Sequence, residues 1–451
     1  MVARKLKSEK PPLIAAPFLA RLHELFEPND IWEAGRRLGV ITRDRKIDLP
    51  ALVEGTVLAL SGLPGAQTSA FTNYIQIAGH ALAPSAFYDR FTGPFATLMG
   101  ELARRAVNAV RAADPACLRE AQFATLLDRF KDVRITDSTC MSLQRLGAKW
   151  APSTSKVRPA GFKLHAVVSV GDLLPVEQHL SPQRRHDSPQ LDEAALEEGT
   201  LFLADLGYVD DARTVRLLDR GVHTLMRLKK SQNPVIDRVH IGQADRRACR
   251  GKQLDEAFTE GLLGFKDGVV DLDVVIAPVV DGKCLRRIVR IVGIQDLEGG
   301  PYGDCWFYLT TVPRDVLAAR EVAVVYSVRW EIELLWKHLK TGVALSSLRA
   351  WRQESVLALV HSKLIALCLA RLLEISLKDK ADTHAYGQLA IVLTLARLAP
   401  SLLAARMLAR GLTLKDFEER LLLTASIIAR SRNQRRERAK RKKIADLEDA
   451  R

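Results

Sequence analysis

Apolar residues recur at three- and four-residue spacing from about residue 30 to 130, in IWEAGRRLGVI, LVEGTVLALSGL, SAFTNYIQIAGHAL and SAFYDRFTGPFATLMGELARRAVNAVRAA. That period belongs to helices with one buried face, so the stretch predicts a helical domain. Pro84 followed by Ser85 marks a helix start. The break GHALAPS has the form of a helix-turn-helix corner, a shape shared by helical hairpins that never touch DNA. At residue 131 the pattern changes to short β-branched runs: DVRITDSTCMSL, FKLHAVVSV, DLLPVEQHL, LFLADLGYV and a fifth strand, HTLMRLK. Helical patterns lie between the last of them, LDEAALEEG before LFLAD and DARTVRLLDRG after it, which predicts an α/β sheet.

From about 230 to 312 the strands VVDLDVVIAP, CLRRIVRIVGI and CWFYLTTV predict a mostly antiparallel β insertion, with Asp281-Gly282 a hairpin signal. Helices resume at PRDVLAAREVAVVYSVRWEIELLWKHLK and continue through HSKLIALCLARLLEISL and GQLAIVLTLARLAPSLLAARMLARG. The boundaries expected are a tail over 1–30, a helical domain over 31–130, the first part of the sheet domain over 131–229, the insertion over 230–312, the second part over 313–375, and C-terminal helices with a basic tail over 376–451. At 451 residues the chain is long for one compact domain.

Charge changes the picture more than bulk composition does. Lys and Arg number 67 against 53 Asp and Glu, a net +14, which points to a polyanionic partner. RSRNQRRERAKRKK, residues 430–443, holds nine basic residues and one acid and so supplies +8 of that excess. Such a tail attracts nucleic acid without reading sequence, or is a solvated helix end. No uncharged apolar run approaches the roughly 20 residues that cross a bilayer, and the basic N-terminus lacks the apolar region of a secretion signal. A cytoplasmic protein with no membrane partner is expected. Cys117, Cys140, Cys249, Cys284, Cys305 and Cys368 are scattered without metal-binding spacing and read as buried free thiols.

The most informative segment is YSVRWEIELLWKHLK, residues 326–340. On a helical wheel at ~100° per residue, Tyr326 at zero puts Arg329 near ~300°, Glu333 near ~340° and Lys340 near ~320°, one arc of ~60°. Trp330, Trp336 and Lys337 flank the arc, and Val325, Val328, Ile332, Leu335 and Leu339 gather opposite. Glu and Lys on a solvated face are ordinary; two tryptophans beside them are not. The row suits a polyanion laid along the helix, with Glu333 the group suited to a hard cation.

Asp137 follows the strand VRIT and Asp205 ends the strand LFLA, so the two lie side by side if the first and fourth strands are neighbours. Two such aspartates with a helical glutamate are what a two-metal phosphoryl-transfer centre needs: acid oxygens hold two Mg2+ ions, one activating the attacking hydroxyl and the other stabilising the leaving oxygen.

The spacing Tyr-x2-Arg-x3-Glu-x6-Lys, met by Tyr326, Arg329, Glu333 and Lys340, resembles the YREK signature of IS4-family DDE transposases. Asp205 opens DLGY, similar to that family's second motif, and ITDST around Asp137 with GFKLHAVVSV fits the first. The likeness runs from about residue 30 to 375. Leu206 stands where arginine is frequent in the family. The resemblance implies an RNase H-like catalytic domain interrupted by the β insertion, preceded by a helical DNA-binding domain. It also implies that Asp137, Asp205 and Glu333 bind two Mg2+ ions, for which Mn2+ substitutes, and that Tyr326, Arg329 and Lys340 contact DNA phosphates. Lys337 joins that DNA-facing set. Trp330 stacks on a flipped base or packs the helix. The implied partners are double-stranded DNA, at terminal inverted repeats and target, and a second copy of the chain in a synaptic homodimer. The family's chemistry is nicking, hairpin formation, hairpin opening and strand transfer.

RLKKSQNPVIDRVHIGQADRRACRGK at the start of the insertion lines DNA or is an exposed loop, and Lys163 and Arg158 carry the same two readings. The rival readings are a catalytically silent, domesticated transposase that only binds DNA, and a metal-dependent RNase H-like nuclease. No histidine has arginine three residues later, as a tyrosine recombinase would need. No G-x4-G-K-[ST] loop is present, so no nucleotide is implied. His186 with Asp187, and His338, read as structural or DNA-facing rather than as general bases.

Overall fold

A computed structural model of the chain describes residues 16–43, 47–59, 66–80, 82–113, 125–143, 149–154, 160–229, 231–280, 282–295, 305–343, 345, 348, 350–377 and scattered positions from 402 to 423. The basic tail over 430–443, Arg158 and Cys117, and most of the helical pattern over 387–411, lie outside the described residues. The chain divides into two compact units, Met1–Ala113 with His338–Arg451, and Asp114–Lys337.

The first unit is helical, as the period demands. It contains α1 (Ala16–Leu25), α2 (Pro28–Arg37), α3 (Leu49–Val57), α4 (Ala66–Ala78), α5 (Pro84–Tyr88) and α6 (Gly93–Ala113). α1 lies within the stretch expected to be a tail. Pro28 and Pro84 sit in the first turns of their helices, where a missing N–H costs nothing. Asp48 caps α3 by accepting from Ala51 N at 2.8 Å. The core is partly aromatic, with Phe87, Phe91 and Phe95 in successive edge-on contacts at 5.3–5.7 Å.

The second unit is built on a nine-stranded sheet. β1 (Asp132–Ser142), β2 (Gly161–Ser169), β3 (Leu174–Pro182), β4 (Thr200–Ala204), α7 (Asp211–Asp219) and β5 (His223–Arg227) form its first part. The strand order is β3-β2-β1-β4-β5, with β4 parallel to β1 and β5 and with β2 antiparallel to β1. That is the RNase H-like order the resemblance implies. The insertion contributes β6 (Val235–Ile241), β7 (Gln243–Ala244), α8 (Arg246–Cys249), α9 (Leu254–Thr259), β8 (Leu263–Gly264), β9 (Val269–Ile276), β10 (Val279–Val280), β11 (Lys283–Cys284), β12 (Arg287–Gln295) and β13 (Cys305–Thr310). Four of its strands extend the same sheet as β13-β12-β9-β6, all antiparallel, with β13 on β5. Then come α10 (Ala319–Ser327), a 3-10 turn (Val328–Trp330) and α11 (Glu331–Lys337).

Two expectations are corrected here. LDEAALEEG is a single 3-10 turn, Glu193–Ala195, rather than a helix. The carbonyls a helix would use internally are taken by arginine: Arg220 donates to Glu193 O at 3.1 Å and to Leu196 O at 2.8 Å, while the Glu193 carboxylate holds Arg213 and Arg216. Among the described cysteines none forms a disulfide, and of these Cys249 and Cys368 are buried. Cys140, Cys284 and Cys305 are exposed, the first at the outward end of β1 and the others at strand starts or in a two-residue hairpin.

α12 (Gln353–Leu377) returns the chain to the first unit and runs along α6. Its residues Gln353–Ser376 are long and apolar enough to cross a membrane, with a mean hydropathy of 1.9, yet 89% of that window is buried inside the protein. Several of its polar groups are partnered there. Lys363 Nζ donates to Ala59 O at 2.6 Å, burial pushes that amine down to about 8, and Arg371 pairs with Glu374 at 2.9 Å.

Candidate active site

Asp137 lies in the middle of β1 rather than at its end, because Ser138 to Ser142 go on pairing with β2, from Ser138↔His165 to Ser142↔Gly161. The parallel pairing of β1 with β4 stops at Thr136↔Ala204. Asp137 and Asp205 are the next residues on the two strands, so the register sets them side by side. β4 ends there because residues 206–208 wind into a 3-10 turn, in which Tyr208 N donates to Asp205 O at 2.9 Å.

The helix expected to be continuous over 326–340 is broken. α10 gives way to the 3-10 turn, α11 follows, and His338–Gly342 is a π turn. A tightened turn and a widened one each shift the angular period, so the single ~60° arc does not exist. Tyr326 is buried; its hydroxyl donates to Ala204 O at 3.3 Å, and burial pushes it up against the opposing pull of Arg329. Arg329 pairs with Glu333 Oε1 at 3.2 Å and sits over the Trp330 ring at 5.4 Å. Trp330 is 60% exposed, which removes helix packing as its role. Lys337 is exposed at the end of α11. Lys340 and His338 lie on the π turn, in the other unit.

Trp336 was passed over as a flanking residue. It is buried, and its indole N–H donates to Asp137 Oδ2 at 3.1 Å. Its spacing of three from Glu333 places the two one turn apart, the only signal the sequence offered. Burial pushes the Asp137 carboxyl above the ordinary aspartate range and the neighbouring charge of Asp205 adds to this, while the Ser138 N–H, the Trp336 indole and the Arg329 cation pull it back. A second missed group is Trp306 on β13, 41% exposed, with the Arg227 guanidinium 3.8 Å from its ring and 6.0 Å from that of Tyr326. Lys163 is not free for phosphate: its Nζ is 2.9 Å from both Asp187 Oδ1 and Arg185 O, and Ser138 Oγ donates to the same Asp187 oxygen at 2.8 Å. Asp187 is thereby a structural anchor rather than a base, held below the usual carboxylate range by Lys163 and Ser138 despite its burial.

The donor set of two aspartates and a glutamate is hard oxygen, right for a hard divalent cation. Burial, which raises Asp137, and the neighbouring charge of Asp205 are what such a cation would offset. Among the described residues, no group of three or more His, Cys, Asp or Glu is gathered closely enough to hold a metal. Glu333 pairs with Arg329 at 3.2 Å and does not form such a group with the two aspartates.

Residues 128–369, more than half of the chain, match the family model described as the transposase DDE domain. The chain belongs to that family of transposase domains, and its IS4-type signature falls inside the matched region. It is 37% identical over 84 residues to the transposase for insertion sequence element IS421 of Escherichia coli, a match covering 19% of this chain and 22% of that one. It is 20% identical over 389 residues to the transposase for IS231F of Bacillus thuringiensis subsp. israelensis, covering 78% and 79%. With the transposase for IS1151 of Clostridium perfringens it shares 26% over 223 residues, covering 42% and 47%. The IS421 match thus spans about a fifth of that relative's length. A cryo-EM structure of the piggyBac transposase synaptic complex with hairpin DNA aligns at 9% identity and a TM-score of 0.43, over 89% of this chain and 84% of that one.

Proposed function

We propose that this chain is the cut-and-paste transposase of an insertion sequence, a metal-dependent DNA endonuclease and strand transferase. The observation that carries the reading is the register of β1 and β4, which sets Asp137 beside Asp205, with Tyr326 of α10 bonded to Ala204 O and Trp336 of α11 bonded to Asp137. Asp137, Asp205 and Glu333 would hold two Mg2+ ions, with Mn2+ able to replace them. When bound, the ions supply activation of an attacking hydroxyl and stabilisation of the leaving oxygen.

The chain's own groups do the rest. Trp336 fixes one oxygen of Asp137 and leaves the other to a ligand. Arg329 pairs with Glu333 in the free protein, and moves to a DNA phosphate when Glu333 joins the aspartates. Exchange of one partner for another suits a guanidinium, which serves carboxylate and phosphate with the same fork. Trp330, exposed beside Arg329, offers a face for an extruded base, and Trp306 offers a second. Tyr326, already bonded to Ala204 O, steadies the end of β4. Lys337 and Lys340 add positive charge for the DNA backbone, as does the tail over 430–443. Residues 31–130 serve as a DNA-binding domain, and two copies join two terminal inverted repeats before attacking target DNA. The protein works in the cytoplasm, on the nucleoid.

The test is cleavage of a supercoiled plasmid carrying the element's own ends, in Mg2+ or Mn2+, by the wild type and Glu333→Ala. Metal-dependent nicks and hairpins at the ends, absent from the variant, are expected. Metal-independent binding with no cleavage under either ion would contradict the reading.

A further inference from the structure

The basic stretch that opens the insertion has no part in the chemistry above, yet it folds around a cavity of about 440 Å³. His240 and Arg246 reach this cavity from β6 and the start of α8, Lys266 comes from the turn before β9, and Arg320 comes from the first turn of α10. Several cations of this region are paired off: Arg287 with Asp219, Arg290 and Arg314 with Asp271, and Lys252 with Glu256 and Glu260. Arg246, Lys266 and Arg320 are exposed and make no ion pair among the described residues. Arg320 is instead aimed by a bond from Nη2 to the backbone carbonyl of Asp267, 2.9 Å away. Asp267 is the one acid in the lining, and His240 is held at 2.7 Å by Asp273.

Position decides what this cleft faces. Val269, at its wall, pairs with Ile294, and Ile294 pairs with Trp306. The cleft therefore stands at the Trp306 end of the sheet, two strands away, or roughly 10 Å. Trp306 in turn shares Arg227 with Tyr326. Three cations from separate elements, with one acid among them, line this cleft, a balance of charge suited to the phosphate backbone.

We propose that this cleft is a phosphodiester-backbone site, which holds duplex DNA along the insertion beyond the segment being cut. The inference rests on the reading that the chain acts on DNA, and it adds a contact surface that the acidic residues do not require.

The experiment measures binding of the full chain to a 40-base-pair duplex (~40) carrying the element's end, and to a scrambled duplex, as a function of salt. It compares the wild type, the triple variant Arg246→Ala, Lys266→Ala, Arg320→Ala, and Lys283→Ala as an exposed control outside the cleft. Thermal melting checks that each is folded. The triple variant is expected to lose about two to three units of log–log salt slope, equally on both duplexes, each unit being about 4-fold in affinity between ~50 and ~200 mM salt. Lys283→Ala is expected to match the wild type. A triple variant with the wild-type slope, while the wild type binds and cleaves its ends, overturns the inference alone. So does a saturable heat on titrating the wild type with inorganic phosphate, lost in the triple variant, when the duplex slope is unchanged. A wild type that binds neither duplex overturns the inference together with the reading beneath it.

Discussion

Trp336 and Asp137 stand 199 positions apart in the chain and meet through one hydrogen bond. A lone carboxylate on a strand has free rotation about two bonds. One oxygen tied to an indole that is itself buried leaves far less to arrange when a ligand arrives. On the strand that pairs with β1, opposite Ser138, His165 shows the cost of placing polar groups so close to the sheet core. Burial and the nearby His179 push it down to about 4, against the pull of Asp187 at 3.9 Å, so it is neutral at pH 7 and that contact is no ion pair. Its ring stacks on His179 at 4.9 Å, and its Nε2 is 2.7 Å from Ser181 Oγ. The unfolded chain takes up this proton near the ordinary histidine value, so between about 6.5 and 4 it binds more protons than the folded chain. Stability is full above that window and falls as the pH drops through it. Urea unfolding from pH 7 to pH 4 should show the wild type losing up to about 3 kcal/mol more than His165→Asn; parallel curves would show that His165 does not titrate in this way.

At the scale of elements, the insertion does more than interrupt the sheet domain. Arg290 on β12 is buried with Asp271 on β9, at 2.8 Å, and donates to Leu317 O at 2.7 Å. Arg314 joins the same aspartate and also Asp273, so the loop entering α10 is tied to the inserted strands. The start of α10, the helix bearing Tyr326, is therefore set in place partly by Asp271, Asp273 and Arg290 of the insertion. Breaking a buried pair while leaving one charge behind costs about 3–5 kcal/mol. Asp271 keeps Arg314 when Arg290 is removed, so Arg290→Met should lower stability by less than that, about 1.5–3 kcal/mol, in denaturant unfolding; an unchanged midpoint in Arg290→Met would show that the brace contributes nothing. Much of this architecture was legible from period alone. Strands alternate or run apolar with a period the chain shows plainly, and β1 to β5, β9, β12 and β13 all lie where the runs predict. LDEAALEEG was misread because its helical period says nothing of the arginines on α7 and just beyond it that claim its carbonyls. The straight helix over 326–340 failed for a related reason: 3-10 and π turns alter the backbone without altering the residue types that a wheel arranges. Asp137 and Asp205 were found because their chemistry is local to a motif. Trp336 and Trp306 were missed because their meaning lies in a distant partner.

At the scale of the whole molecule, the chain joins a helical unit, whose most apolar helix is its own core, to a sheet unit that carries the acidic residues. The net +14 is not spread evenly, and the account assigns its parts to different tasks: a tail for long-range attraction, the cleft of the insertion for the backbone, and Arg329 for the site itself. Whether the acids hold the ions is the claim on which the rest depends. It is tested most directly by Asp205→Cys, an exposed position, assayed for cleavage of the element's ends in Mg2+ and in Mn2+. A thiolate is a poor ligand for Mg2+ and a better one for a transition-metal ion. The account predicts cleavage lost in Mg2+ and regained in part in Mn2+. Cleavage by Asp205→Cys in Mg2+ at the wild-type rate would contradict it.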